Sequence, residues 1–528
     1  MTNPRPKIWL DSTIGSNLLA QISGDPGLPQ PKPTVSSWQV PSHPAVGSAQ
    51  SKVLPRTTDF LIIGSGITGL GVAKTLLEDP TSGSKTVTVL DARGLCSGAT
   101  GRNGGQLVKP YALRFAQLAD DFGLETATKI ARLALYTLEE MHRLADSYDD
   151  DLRREAVARR VTKRIVYMDK ASWGRVQAAV DLYETHLPEE KGSFQRVPKE
   201  EVESTQTSTT DDTNEQGWNV KGGYGGYKFP AGVCWPYRLV TGVFKRLQDK
   251  YGGSGRLNIE THTPATAILY DADTDPAHPY MVVTPRGIIR TAALVHCNNG
   301  HASHLLPHLR GKIWPLRGTM SSQEPGHKFP DLSSKVSWTF LRDMHYDKPS
   351  GTLELGWWYA LQNAPAGDVW IGGDHKRVEE IFTADDSQVG EESVETVSNI
   401  LPRVFTEKWM PQKPKVQRIW TGVMSRTGDT LPFVGWLCST ATGRPGKGEW
   451  IAAGWNSYGM TNGLTSGRAV ALMMLGKDPP DWFPSAYLPT EERLNKPAFT
   501  AEAATLRFLD ESGIGATLQP SLEGRPKL

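Results

Sequence analysis

Cysteine is scarce in this chain: Cys96, Cys234, Cys297 and Cys438 are the four thiols in 528 residues, and none forms a C-x-x-C pair. That spacing excludes a disulfide-built scaffold and a cysteine zinc site, and it fits a reducing compartment. Net charge is equally small, with 58 Lys plus Arg against 57 Asp plus Glu and a formal charge of +1. No global field draws such a chain to nucleic acid or an anionic membrane, and no basic run interleaved with aromatics supplies a local one. Long hydrophobic runs are missing too. No stretch approaches the ~20 apolar residues that cross a bilayer, and residues 1–21 lack the basic-then-apolar order of a secretory leader. A soluble intracellular protein is the expectation, cytoplasmic or peroxisomal. The terminal Pro526-Lys527-Leu528 differs by one residue from the Ser-Lys-Leu peroxisomal address.

What is present is enough apolar material, 38% of residues, for more than one lobe. Residues 1–54 are rich in Pro, Ser, Gly and Gln and read as an extended arm. Asp59-Phe60-Leu61-Ile62-Ile63 has the continuous apolar character of a buried parallel strand. A glycine turn, a helix to Leu77 stopped at Asp79-Pro80, and the strand Val87-Thr88-Val89-Leu90 complete a β–α–β unit. Charge-laced helix fills 115–148, and the polar, Gly-rich 196–230 reads as a loop excursion. A helix is expected over 236–251, with strands near 257–268, 281–283 and 293–297. Aromatic-rich strands near 336–341, 352–358 and 368–372 predict an antiparallel sheet in a second lobe, and a β–turn–α unit over 450–475 closes the body.

Gly64-Ser65-Gly66-Ile67-Thr68-Gly69 is a G-x-G-x-x-G hexapeptide between that first strand and its helix. Gly64 permits the tight turn, Gly66 leaves room for a pyrophosphate, and Gly69 lets helix and strand approach. The free N–H groups and positive end of the helix meet the phosphates. Asp91 stands 22 residues after Gly69, near the ~20 expected of a ribose-binding acid, with Ala92 and Arg93 beside it. The next loop separates FAD from NAD. Ser97-Gly98-Ala99-Thr100-Gly101-Arg102-Asn103-Gly104-Gly105-Gln106 is glycine-dense and hydroxyl-bearing, suited to backbone wrapping a longer dinucleotide.

With these residues the sequence resembles the D-amino-acid-oxidase-type FAD oxidoreductases, most of all the glycine and sarcosine oxidase and gamma-glutamylputrescine-oxidase-like subgroup. The likeness covers most of 35–480. It implies an α/β fold: a Rossmann-like FAD-binding domain with a discontinuous α+β substrate domain built on an antiparallel sheet. The expected boundaries are 55–112, 231–318 and 415–482 for the FAD domain, 113–230 and 319–414 for the substrate domain, and 483–528 as a tail. The resemblance assigns the adenine strand to Ala265, a glycine-ended strand to Asn298 and Gly300, and a segment under the flavin to 420–435, including Asp429. A terminal flavin loop falls on Gly454, Asn456, Ser457, Tyr458, Gly459 and Met460. It implies hydride transfer from an amine or amino-acid-like small molecule to flavin N5, an iminium product, and O2 as the acceptor, giving hydrogen peroxide. A tailoring enzyme that dehydrogenates a larger secondary metabolite, or a flavin-binding protein without turnover, are the alternatives.

Two departures from that family carry information. The carboxylate-pairing arginine of glycine oxidases falls on Met424, so either Arg426 or Arg342 replaces it or the substrate has no carboxylate there; the second reading is preferred. Trp420 and Arg102 stand where relatives attach flavin covalently, and neither side chain can form the link, so FAD is expected to be dissociable. Tyr359 and Met424 are expected at the substrate, and Lys328 on the oxygen side. Trp357-Trp358-Tyr359 either walls the pocket or packs a core. His301, His304 and His308 read as structural rather than metal-binding, because Pro307 breaks their register and no carboxylate joins them. Gly222-Gly223-Tyr224-Gly225-Gly226 follows no strand and reads as a surface loop.

Overall fold

The apolar run at 60–63 is buried on both faces, Leu61 and Ile62 completely, because it lies at the centre of a covered sheet. The computed structural model describes residues 4–205 and 217–518. Its first sheet has eight strands, with a path running Phe433–Trp436, Glu449–Ala453, Gly287–His296, Thr57–Ile63, Val87–Leu90, Leu257–Glu260. From Glu449–Ala453 to Leu257–Glu260 every pairing is parallel. Thr57–Ile63 has parallel neighbours on both sides, so connections leave it in opposite directions and open a crevice at the carboxyl ends. The helices Ile67–Glu78 and Gly463–Met474 cover this sheet and touch through glycine. A Cβ on Gly71 would sit 2.4 Å from the Leu464 carbonyl, and one on Gly467 2.4 Å from that of Thr68.

The second sheet has ten strands, with a path of Lys415–Thr427, Ile313–Glu324, Val369–Arg377, Thr352–Gln362, Val336–Leu341, Arg159–Tyr167, Gly225–Val233, Gln106–Leu107. It is antiparallel except where Val336–Leu341 runs parallel to Arg159–Tyr167. Strand alternation divides its side chains between two faces. One face packs against the helix Glu391–Val404 and a cluster containing Phe329, Trp338, Phe340, Phe405 and Trp409. The other carries Lys163, Ile165 and Tyr167 on one strand and Thr339 and Leu341 on the next, and it forms a cavity wall.

Several expectations are revised. Residues before 54 are not wholly extended: Thr13–Ser23 is a helix, capped by the Ser12 hydroxyl accepting the Gly15 N–H at 3.0 Å. Its Leu18 and Ile22, four apart on one face, are fully buried in a cluster with Trp314, Leu316, Leu509 and Ile514. The expected tail also contains helix, Ala501–Glu511, packed on that same N-terminal helix. Two short apolar stripes stabilise each other there, and neither is conspicuous alone. Within the expected loop excursion, Gly225 and Gly226 begin the strand Gly225–Val233, held by Arg159–Tyr167; their glycines leave room for Trp173 and Trp218. The strand expected over 257–268 is two, Leu257–Glu260 and Ala267–Tyr270. The long strands Ile313–Glu324 and Lys415–Thr427 belong wholly to the second sheet. The Pro526-Lys527-Leu528 terminus lies outside the described residues, among which no helix is long and apolar enough to cross a membrane.

Candidate flavin and substrate site

A cavity of about 960 Å³ lies between the carboxyl ends of the parallel strands and the free face of the second sheet. That is at the top of the ~300–1,000 Å³ range of small-molecule sites. Gly64 enters it with φ 108°, and a Cβ there would meet the Cys297 carbonyl at 2.7 Å, so glycine is required for the turn. Gly66 is the N-cap of Ile67–Glu78, and its missing Cβ leaves the approach to the helix N-terminus open. Gly69 lines nothing: a Cβ would lie 2.0 Å from the Gly64 carbonyl, so its role is the helix–strand approach.

Asp91 closes the second strand. Its carboxylate accepts the Ser65 N–H at 3.1 Å, the Ser65 hydroxyl, and the Arg93 N–H at 3.0 Å. Burial raises its pKa, and these donors oppose the shift. The hydroxyl of Ser65 in turn accepts the Cys96 N–H, tying the dinucleotide turn to the next loop. In that loop Thr100 Oγ1 accepts the Ile67 N–H at 3.0 Å. Arg102 donates to the Ser97 and Thr421 carbonyls at 2.8 Å each, fastening the loop to the second sheet. Arg93 forms a buried ion pair with Asp386 at 2.9 Å. Gly104 sits beneath the Tyr359 ring, 2.7 Å from where a Cβ would be. Gln106 begins the short strand Gln106–Leu107 that joins the second sheet.

The opposite rim is Asn456, Ser457, Tyr458, Gly459 and Met460, leading into the helix Gly463–Met474. Asn456 and Ser457 adopt φ of 49° and 72°. Asn456 is pinned there, accepting the Thr427 N–H at 3.0 Å and donating to Thr427 Oγ1 and the Gly454 carbonyl. The buried side-chain oxygen Oδ1 of the cavity-lining Asn298 has no partner among the described residues. A glycine-floored helix N-terminus, an acid at the sequence spacing of a ribose ligand and an unsatisfied oxygen are what a flavin dinucleotide requires of its host.

The sequence profile of the family described as "FAD dependent oxidoreductase" (DAO) matches residues 59–473. The chain belongs to the DAO family of FAD-dependent oxidoreductases. It is 36% identical over 77 residues to gamma-glutamylputrescine oxidoreductase of Escherichia coli (strain K12), a match spanning 15% of this chain and 17% of that protein. Its fold is similar to glycine oxidase from Geobacillus kaustophilus (TM-score 0.57, 15% identity, 83% of this chain and 99% of that one). L-proline dehydrogenase from P. horikoshii is similar at TM-score 0.58 and 18% identity over 84% of this chain and 100% of that one. NikD, an unusual amino acid oxidase essential for nikkomycin biosynthesis, is similar at TM-score 0.57 and 15% identity over 82% of this chain and 98% of that one. As a DAO-family enzyme, the protein is an oxidoreductase with FAD as its cofactor.

Around the cavity stand Gly64 to Thr68, Asp91 to Arg93, Gly98 to Thr100, Arg102 to Gln106, Ala265, Asn298, and Asn456 to Met460, with Tyr359 and Met424. Besides Gly69, four expected residues lie behind this surface. Ser97 contributes its carbonyl to Arg93, Arg102 and Gln39. Gly300 allows the Asn298 loop to touch the Met424 carbonyl, 2.5 Å from its absent Cβ. Gly454, at φ 87°, turns the chain past Thr427. Asp429 does not line the cavity; it forms a buried ion pair with Arg493 at 2.8 Å, and Arg493 also donates to the Leu431, Pro432 and Tyr487 carbonyls. Asp429→Asn is therefore expected to destabilise the protein by about 3 kcal/mol, the scale of an orphaned buried charge. Flavin content of the folded fraction should be unchanged, as thermal melts and flavin-to-protein ratios would measure.

Lys328 is also misplaced by the sequence reading. It is exposed in the turn before Phe329, whose burial against Trp338 and Phe405 directs that segment away from the cavity. The buried lysine in the wall is Lys163, which donates to Gln106 Oε1 and to the Trp338 carbonyl at 2.7 Å. Burial pushes its pKa well below the usual lysine value. Two acceptors match the two N–H bonds of a neutral amine. Alternation with Ile165 and Tyr167 in one strand is the sequence signal that puts this lysine on the cavity face. Trp357 and Tyr359 line the chamber, whereas Trp358 turns to the second core beneath the Arg342 guanidinium. His301 is buried against the Gly27 carbonyl and His304 pairs with Asp25. Among the described residues no His, Cys, Asp and Glu cluster could hold a metal ion. Asp374, buried in the second sheet, pairs with Lys376 at 2.9 Å.

Proposed function

We propose that the protein oxidises the C–N bond of an amino-acid-like substrate, with the carboxylate held by Arg426 and Arg114, and that O2 reoxidises the flavin to give hydrogen peroxide. The observation behind this reading is the chamber's charge. Five cations line the cavity beyond Arg93 and Arg102. Lys109, Arg175 and Arg342 pair with Glu190, Asp343 and Glu354, whereas Arg114 and Arg426 have no carboxylate within ion-pair distance among the described residues. The acids at the opening, Asp120 and Asp121, are exposed on the helix Phe115–Phe122. A wall of unpaired guanidinium repels a polyamine and attracts an anion. This charge favours a carboxylate-bearing substrate over the simple amine suggested by Met424 alone.

Arg426 lies 5.9 Å from the Trp357 ring and Arg114 6.0 Å from that of Tyr458, so aromatic faces orient both forks. Tyr167, Phe229, Trp357 and Tyr359 supply apolar walls that exclude water from the reacting carbon. Bound FAD supplies a hydride acceptor for the substrate's α-carbon. Lys163, as a neutral amine, keeps a lone pair at Nζ that can take the proton of the substrate ammonium. Tyr359 carries a phenol whose pKa burial raises, so it donates rather than ionises. The test is anaerobic flavin bleaching across matched amino acids and their decarboxylated amines, followed by air and peroxide detection. Bleaching by the amines alone, or reoxidation by dyes but not by air, would overturn the corresponding half of the reading.

A further inference from the structure

The family match begins at residue 59, yet three residues far upstream line the cavity: Gly27, Leu28 and Pro29. They are fixed at both ends by residues of the dinucleotide site. The Gly27 carbonyl lies 3.1 Å from His301 Nδ1, just past the Asn298 loop. The Gln30 carbonyl accepts from the Arg93 guanidinium at 3.3 Å, two residues after Asp91. This segment therefore runs along the cavity wall between His301 and Arg93, two residues after Asp91, and places Leu28 and Pro29 in its lining. Asp25 anchors the approach through Arg310 at 2.6 Å and His304 at 2.9 Å.

Further along, the same arm grips the glycine-rich loop from outside. Thr34 Oγ1 accepts the Thr421 N–H at 2.9 Å and contacts Arg102. Trp38 donates its indole N–H to the Asn103 carbonyl, while its ring packs edge-on against Trp235 and Trp370. The Gln39 amide donates to the Gly101 carbonyl at 2.9 Å and to that of Ser97 at 3.2 Å. Gly101 and Gly105 accommodate this grip: Cβ atoms there would lie 2.8 Å from Gln39 Nε2 and 2.6 Å from the Trp38 ring. A loop so rich in glycine loses much conformational freedom when it adopts one shape, and the contacts of the arm hold it in the shape observed.

We propose that residues 27–39 are an integral part of the FAD site, with Leu28 and Pro29 covering the adenosine half and Trp38 and Gln39 holding the 97–105 loop in its flavin-binding form. The two halves separate experimentally, because ADP carries the adenosine and pyrophosphate but no isoalloxazine. Truncating the arm would remove the buried Leu18–Ile22 helix as well, so point variants in the full-length protein are the better probes. Leu28→Ser combined with Pro29→Gly should accelerate FAD release from diluted holoenzyme and weaken ADP binding to deflavinated protein, each by roughly tenfold, equivalent to about 1.4 kcal/mol. Gln39→Ala should accelerate FAD release to a similar extent and leave ADP affinity, measured calorimetrically, within about twofold. Melting temperatures of the deflavinated variants establish that they are folded. Folded variants that release FAD at the wild-type rate would overturn the proposal. A Gln39→Ala protein that lost ADP affinity as well would overturn the division between the two halves.

Discussion

Gly66→Val is expected to give a folded, colourless protein. The side chain would start 2.9 Å from Thr100 Oγ1, the oxygen that accepts the Ile67 N–H at the helix N-terminus. The valine must displace that hydroxyl and also fill the space through which a pyrophosphate reaches the first free N–H groups. The protein core does not depend on that space, since the nearest non-neighbouring atoms to a Cβ at Gly66 belong to Thr100 alone. The expected loss of FAD affinity is at least ~10³-fold, about 4 kcal/mol, with the melting temperature of the deflavinated protein little changed. Gly69→Val is the contrasting control. Its Cβ would lie 2.0 Å from a backbone carbonyl that cannot move without opening the strand–helix junction, so insolubility is expected there rather than loss of colour. Reconstitution with excess FAD, followed by the flavin-to-protein ratio after desalting, distinguishes the two. A Gly66→Val protein that retains flavin with wild-type affinity would mean that the phosphates do not pass this turn.

The contrast between these glycines shows what sequence can and cannot convey. Both follow from the G-x-G-x-x-G spacing, because that motif is a local geometry: a strand, a turn and a helix within one contiguous segment. The glycine-rich 97–106 loop is legible for the same reason, and so are the aromatic-rich strands at the centre of the second sheet. The sequence assigns Asp429 to the cofactor because its segment resembles the one that lies under the flavin in the family. Its partner, Arg493, is 64 residues away in a stretch that reads as a tail, and only the fold brings the two together. Lys328 fails in the same way, since the apolar anchor at Phe329 decides which direction the turn faces. The N-terminal arm shows the limit most clearly. Leu28, Pro29, Trp38 and Gln39 belong to no repeating pattern, and their role depends on carbonyls and cations supplied by residues 93, 97, 101, 103 and 301. Long-range pairing of that kind leaves no periodic trace in either partner.

Arg426→Met should lower catalytic efficiency while raising stability. The Arg426 guanidinium is held inside the cavity wall by the Trp357 face, burial depresses its pKa, and the charges of Arg114 and itself oppose each other. Glu511 acts on it only from beyond ion-pair distance. An unpaired cation in such a place is a cost to the folded state, on the order of 1–3 kcal/mol, that substrate binding would offset. Methionine keeps the length and apolar stem and removes the charge, so the variant should melt about 1–3 °C higher at equal flavin content. For a carboxylate-bearing substrate the loss of a bidentate, charge-assisted pair should reduce kcat/KM by roughly 10³-fold, about 4 kcal/mol. The corresponding decarboxylated amine never makes that pair, and its kcat/KM should stay within about threefold or improve as the repulsion is removed. The informative quantity is the ratio of the two substrates' kcat/KM before and after substitution. Equal losses for acid and amine would show that Arg426 shapes the chamber without pairing with the substrate, and the carboxylate would then have to be sought at Arg114.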